Sequence, residues 1–156
     1  MNVEIERKFL VKNKNFILES YKKVHIKQGF LNTHKERTVR VRIQDNKSFL
    51  TVKGMSNTSG TTRFEWEKEI DLEDGKKLLC LAKKPLIEKI RHLVKIGKHT
   101  YEVDVFLGKN QGLIVAEIEL NSEKEVFEKP QWIGKEITGQ TAYYNSSLSK
   151  HPYSNW

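Results

Sequence analysis

Residues 3–12 read VEIERKFLVK, a stretch that sets Glu4, Glu6 and Lys8 at every second position. Val3, Ile5, Phe9 and Val11 supply most of the apolar complement, with Arg7 as the exception. Successive side chains of a strand point to opposite faces, so this spacing predicts a first strand with two carboxylates and an ammonium on one face. Such a face ordinarily meets water. Two like charges side by side raise the question of what stands opposite them, and the later strands bear on it.

Period two recurs along the chain. In KERTVRVRIQ (35–44), Val39, Val41 and Ile43 alternate against Arg40 and Arg42; SFLTVKG (48–54) follows an Asp45-Asn46 turn and carries Lys53. RFEWEKEI (63–70) sends Phe64 and Trp66 one way and Arg63, Glu65, Glu67 and Glu69 the other. With VHIKQGFLNT, IEKIRHLVKI, HTYEVDVF and GLIVAEIEL, about eight strands recur at the spacing of an all-β barrel or sandwich. Helical pattern is scarcer. Asp71 to Ala82 has an N-cap candidate in Asp71, apolar Leu72, Leu78, Leu79 and Leu81, and a stop at Pro85. Shorter helices are expected near residues 15, 122 and 142. With no internal repeat or linker, residues 1–156 read as a single domain.

Composition narrows the class. Aromatic content of 10% argues against disorder, and one cysteine excludes both a disulfide framework and a cysteine-rich zinc site. No apolar run approaches the roughly 20 residues of a membrane span and no signal peptide is evident, so a cytoplasmic location with no membrane partner is expected. The net charge of +8 favours anionic, phosphate-rich partners.

The charges segregate by strand. Arg40/Arg42 and Lys89/Arg91 are purely basic pairs, whereas Glu102/Asp104 and Glu117/Glu119 are purely acidic, the latter inside the otherwise apolar LIVAEIEL. A solubilising surface mixes signs more evenly. Were these faces turned inward, the charges would have to be paired or bound to ions and ligand. Carboxylates clustered without His or Cys suit a hard divalent cation such as Mg2+ or Mn2+. Paired Arg and Lys suit a chain of phosphates. Together they form the apparatus of phosphoryl transfer, which needs no protein nucleophile.

This ordered set resembles the CYTH superfamily, the triphosphate tunnel metalloenzymes, whose signature Glu-x-Glu-x-Lys matches Glu4, Glu6 and Lys8. The likeness continues nearly end to end through VRVR, LTVKG, RFEWE, Lys89-x-Arg91, YEVDVF, LIVAEIEL and WIGKEIT followed by YYN. The resemblance implies a mainly β (α+β) fold: an eight-stranded antiparallel barrel forming a charged tunnel, with a few helices packed outside. It implies phosphate ligands at Lys8, Arg40, Arg42, Lys53, Arg63, Lys89 and Arg91. It implies metal ligands at Glu4, Glu6, Glu67, Asp104, Glu117 and Glu119, with Glu4 and Glu6 also catalytic. For the compact bacterial type it implies hydrolysis of a small-molecule triphosphate with Mg2+ or Mn2+, foremost inorganic triphosphate to pyrophosphate and phosphate. Nucleoside or thiamine triphosphatase, class IV-type adenylate cyclase and a non-catalytic polyphosphate-binding domain are the alternatives. The chain departs from many compact members in carrying Phe30 after Gln28-Gly29, where they have tyrosine.

Other residues read more plainly. The five histidines lack ligand spacing. Cys80 reads as a small buried core residue, and Trp66 and Trp132 as core anchors. The C-terminal YYNSSLSKHPYSNW is expected to form a short helix over one tunnel mouth. Nucleic acid is not an expected partner, because Glu4, Glu6, Glu117 and Glu119 would repel its backbone. A homodimer is one option for assembly.

Overall fold

The period-two runs become nine β-strands, and the computed structural model describes residues 3–156. The strands are β1 (Val3–Val11), β2 (Lys22–Asn32), β3 (Thr38–Gln44), β4 (Lys47–Lys53), β5 (Thr62–Ile70), β6 (Ile87–Ile96), β7 (His99–Phe106), β8 (Ile114–Glu119) and β9 (Ile133–Glu136). Three α-helices accompany them: α1 (Phe16–Glu19), α2 (Leu72–Leu81) and α3 (Asn145–Lys150). Around the ring the order is β1-β5-β4-β3-β2-β6-β7-β8, and β8 returns to β1, every pairing antiparallel. This is the expected closed eight-stranded barrel.

Closure depends on β1 serving three neighbours. One edge pairs with β8 from Glu6 to Leu10. The other edge is divided: Val3–Ile5 pair with β5, and Phe9 and Val11 pair with the short β9. Backbone bonds confirm the division, since Glu6 N–H donates to Thr61 O at 3.0 Å and Ile137 N–H donates to Lys8 O at 2.8 Å. Side chains from alternate positions fill two opposed environments.

The outward faces of β1 and β6–β8 are apolar and covered. Phe16 of α1, Tyr101, Val103, Ala116, Ile118 and Trp132 form one buried cluster there. Trp132 meets Tyr101 and Phe16 edge-on at 5.4 and 5.8 Å, and its indole N–H donates to Glu19 at 3.1 Å. Helix α2 covers β3 and β4, setting Leu79 and Ala82 on Val41. As expected, Asp71 caps α2, accepting from Glu73 N–H at 3.2 Å. A third cluster lies inside one end of the barrel, where Leu148 of α3 packs on Phe30, Ile87, Phe106 and Val115. The C-terminal helix thus stoppers part of that end, as the sequence suggests. No helix among the described residues is long and apolar enough to cross a membrane.

Three local expectations need correction. Cys80 is exposed, because α2 turns Gly75 and Leu79 inward and position 80 falls on the next face. Trp66 is 38% exposed: it lies on the outer wall of β5, beside exposed Phe64, while Arg63, Glu65 and Glu67 occupy the lumen side. The helix expected near residue 122 is instead a turn followed by irregular chain. There Glu125 reaches His99 at 2.5 Å and Phe127 packs on Phe9 at 6.0 Å, two contacts at i and i+2 that an extended segment can make together.

Gly75 shows how closely α2 rides on the sheet. A Cβ there would overlap Ser48 Oγ and Cβ, and Ser48 is fully buried. Alanine favours helix over glycine by about 1 kcal/mol. Even so, Gly75→Ala is expected to destabilise the protein by about 1–3 kcal/mol, the usual scale of overpacking. Urea denaturation checks this, and a raised midpoint would show that α2 can lift off Ser48 freely.

Candidate active site in the barrel lumen

The lumen is a cavity of about 210 Å³ running between the sheet's inward faces. Because the inward residues of β1 alternate, Glu4, Glu6 and Lys8 all line it. Register then assembles the rest. Glu119 lies opposite Glu6 and Glu117 opposite Lys8, so β1 and β8 form an acidic wall. Across the lumen stand Arg40 and Arg42 on β3 and Lys89 and Arg91 on β6. Between the walls, β4 and β5 contribute Lys53, Arg63, Glu65 and Glu67. Every expected site residue except Asp104 lines this one cavity.

Asp104 is 1% exposed and sits behind the lumen, gripping the basic wall. It accepts from Arg91 Nε at 2.7 Å and Nη2 at 2.9 Å, and Lys89 Nζ stands 2.7 Å from its second oxygen. Arg91 also reaches Glu102 at 3.1 Å. Burial opposes the Asp104 charge, but Arg91 and Lys89 outweigh it and hold its carboxyl below the usual range. For Lys89 the balance runs the other way: burial, with Arg91 beside it, outweighs Asp104 and brings the ammonium down to about 8.

The remaining carboxylates divide by how well they are neutralised. Burial opposes charge on Glu117, yet Lys8, 3.7 Å away, with Arg91 and Lys89, keeps it well below the ordinary value. Glu67 is held below its ordinary value against burial by a 2.6 Å bond from Thr51 and by Arg42 and Arg40, the latter 3.4 Å away. Glu4, Glu6 and Glu119 lie at the other extreme. Burial and the neighbouring Glu117 push Glu6 up to about 8. Burial raises Glu4 even though Lys53 approaches to 3.0 Å, and burial with Glu4 and Glu102 raises Glu119.

The basic wall shows the complementary shortfall. Burial and the like charges of Arg40 and Arg91 lower the pKa of Arg42, whose side chain meets Gln28 at 3.3 Å and no carboxylate among the described residues. A guanidinium stays protonated, so the shift expresses a demand for an anion. Arg40 is 9% exposed, and its Nε has no hydrogen-bond partner. Arg63 spends its donors on Gly54 O at 2.8 and 3.1 Å.

Some contributors are not evident in the sequence. Asn145 of α3 accepts from both Gln28 Nε2 at 2.7 Å and Lys89 Nζ at 2.8 Å, tying the C-terminal helix to the basic wall. Tyr144 lies 4.8 Å beneath the Lys8 ammonium. Thr51 carries period two into the lumen on β4, a signal that alternation with Lys53 could have supplied. Phe30 lines the lumen with a ring and no hydroxyl.

The donor chemistry fits a hard divalent cation at Glu4, Glu6 and Glu119, where carboxylate oxygens gather with too little positive charge. Among the described residues, no three Asp, Glu, His or Cys side chains are already drawn together around a single point. The fold and lumen define a closed β-barrel that sets a basic wall against an acidic one.

Comparison with known proteins names the class. The CYTH domain matches residues 2–153, and the chain belongs to that family. Inorganic triphosphatase of Acetivibrio thermocellus is 45% identical over 161 residues, covering 100% of this chain and 99% of that protein. Inorganic triphosphatase of Nitrosomonas europaea is 33% identical, covering 94% and 96% of the two chains. The solved structure of the inorganic triphosphatase NE1496 superposes with a TM-score of 0.66 at 32% identity, covering 94% of this chain and 97% of that one.

Proposed function

We propose that this chain is a metal-dependent triphosphatase that hydrolyses inorganic triphosphate to pyrophosphate and phosphate, the one domain of 1–156 enclosing the reaction. One observation carries the reading: lumen cations short of anions face lumen carboxylates short of cations across a single cavity. The activity for which both relatives are named agrees with it.

Lys8, Arg40, Arg42, Lys53, Arg63, Lys89 and Arg91 would bind the phosphates and spread the charge of the transferred group and leaving pyrophosphate. Arg40 and Arg42 are the most available. Asp104 and Glu102 hold Arg91 in place, and Asn145 with Asp104 holds Lys89. Glu4, Glu6, Glu117 and Glu119 would hold Mg2+ or Mn2+, with Glu67 and Asp104 further candidates now engaged with cations. The bound metal supplies charge neutralisation and lowers the pKa of coordinated water. Glu4 and Glu6 would orient a water for in-line attack on a terminal phosphorus and accept its proton; as the new O–P bond forms, the bridging P–O bond breaks and pyrophosphate departs with the electron pair.

The test is phosphate release and cyclic-nucleotide formation across inorganic, nucleoside and thiamine triphosphates with Mg2+, Mn2+ and Ca2+. Inorganic triphosphate with Mg2+ or Mn2+ is expected to be turned over fastest, without cyclic product. Silence with every pair would sink the enzyme reading. Arg40→Ala should lower kcat/KM for inorganic triphosphate by about 10–100-fold, the loss of one charged hydrogen-bonding partner at about 1.4 kcal/mol per tenfold. Unchanged kcat/KM would remove Arg40 from substrate binding.

A further inference from the structure

The two ends of the lumen are chemically unlike. By strand direction, the β2–β3 hairpin, the β4–β5 loop and α3 gather at one end, and the β6–β7 hairpin and the end of β8 gather at the other. At the first end a vestibule of about 730 Å³ opens into the lumen past Thr38, Arg63, Tyr144 and Ser146, which line both spaces. Its charged lining is Lys35, Arg63 and Lys150, and no carboxylate lines it. At the second end a depression of about 510 Å³ shares Glu102 and Glu119 with the lumen and adds Glu125 and a single lysine, Lys98, 4.0 Å from Glu125.

We infer that the tunnel is loaded with its polyanion from one end only, through the vestibule beside α3. This rests on the triphosphatase reading and adds a direction to it. Three cations without a carboxylate attract an approaching triphosphate, whereas Glu102, Glu119 and Glu125 outnumber Lys98 at the other mouth and repel it. Beyond the vestibule Lys53 stands opposite Thr38, and Arg40, two residues along β3, follows with its buried Nε unpartnered. A polyanion arriving this way reaches that unmet donor one step past Lys53. From the other mouth it would first have to pass the acidic wall.

Lys35 and Lys150 are exposed and make no ion pair among the described residues, so their charges are removable without disturbing the lumen. Lys47 and Lys95, at the opposite end of the barrel, are equally exposed, likewise make no ion pair among the described residues, and give the matched control. The association rate of inorganic triphosphate in the presence of Ca2+ is read by stopped-flow tryptophan fluorescence at several salt concentrations. Lys35→Gln/Lys150→Gln should slow association about 3–10-fold at low salt, leave the dissociation rate nearly unchanged, and converge on the unaltered protein at high salt. Lys47→Gln/Lys95→Gln, with the same charge change, should associate at the unaltered rate. Equal slowing by both pairs, or by neither, would overturn the one-ended route while binding itself stood. Failure of the unaltered protein to bind inorganic triphosphate would instead strike the triphosphatase reading, and this inference with it.

Discussion

Glu6→Gln is expected to lower metal-dependent phosphate release by roughly 10²–10³-fold and, in the metal-free protein, to raise stability. The two effects come from one cause. Glu6 is buried against Glu117 with too little positive charge nearby, an arrangement useful for a cation and costly without one. Its folded pKa of about 8 lies above the 4.5 of a free glutamate. Between those values the folded state retains a proton that the unfolded chain releases. Metal-free stability therefore falls as pH rises through this window and levels off above about 8. Glutamine removes that penalty along with the ligand. Thermal denaturation in chelator from pH 5 to 9, with Mn2+ binding followed by electron paramagnetic resonance, checks both halves. Near-native turnover, or a stability curve as steep as that of the unaltered protein, would remove Glu6 from its assigned place.

Asp104→Asn should be damaging in the opposite sense. Asparagine keeps the shape but strips the anion from between Arg91 and Lys89, leaving two buried cations with like charge beside them. Breaking a buried pair by removing one partner costs about 3–5 kcal/mol. At this chain length that corresponds to a fall in Tm of about 10 °C. Here Asp104 acts through others: it fixes the Arg91 fork by two hydrogen bonds and steadies Lys89. Near-saturating inorganic triphosphate should recover part of the lost Tm, since its phosphates can replace the missing anion. A Tm within about 2 °C of the unaltered protein would show that Glu102 and Glu117 suffice to hold the basic wall.

Much of this was legible in the residues because alternation and burial are coupled in a closed sheet. Glu4, Glu6 and Lys8 share a face by spacing alone, and the purely basic and purely acidic strands foretold opposed walls. What spacing cannot carry is register. That Glu119 falls opposite Glu6, or that Asp104 slips behind Arg91 while its neighbour Glu102 reaches the lumen, depends on how strands align across the ring. Neutral partners were hidden for a different reason. Gln28 and Asn145 carry no charge to mark them, and Asn145 is contributed by a helix distant in sequence from the strands it serves. Trp66 misled because large aromatics usually lie inside, whereas a barrel with a charged lumen turns its β5 aromatics outward onto a wall that no helix covers.

The divided edge of β1 has a kinetic consequence. β9 occupies the far half of that edge, so β5 can close the ring only across Val3, Glu4 and Ile5, the shortest of the ring's seams. That seam joins segments about sixty residues apart, a non-local pairing of the kind that slows folding, and the β1–β8 seam, Glu6 against Glu119, spans more of the chain still. Glu4 lies within it, with Arg63 directly across and Lys53 at 3.0 Å. The acidic and basic walls therefore face each other only once both seams of β1 have formed. Amide protons at Val3–Ile5 should exchange earliest in the ring, and any ligand spanning both walls would slow that exchange by latching the seam shut.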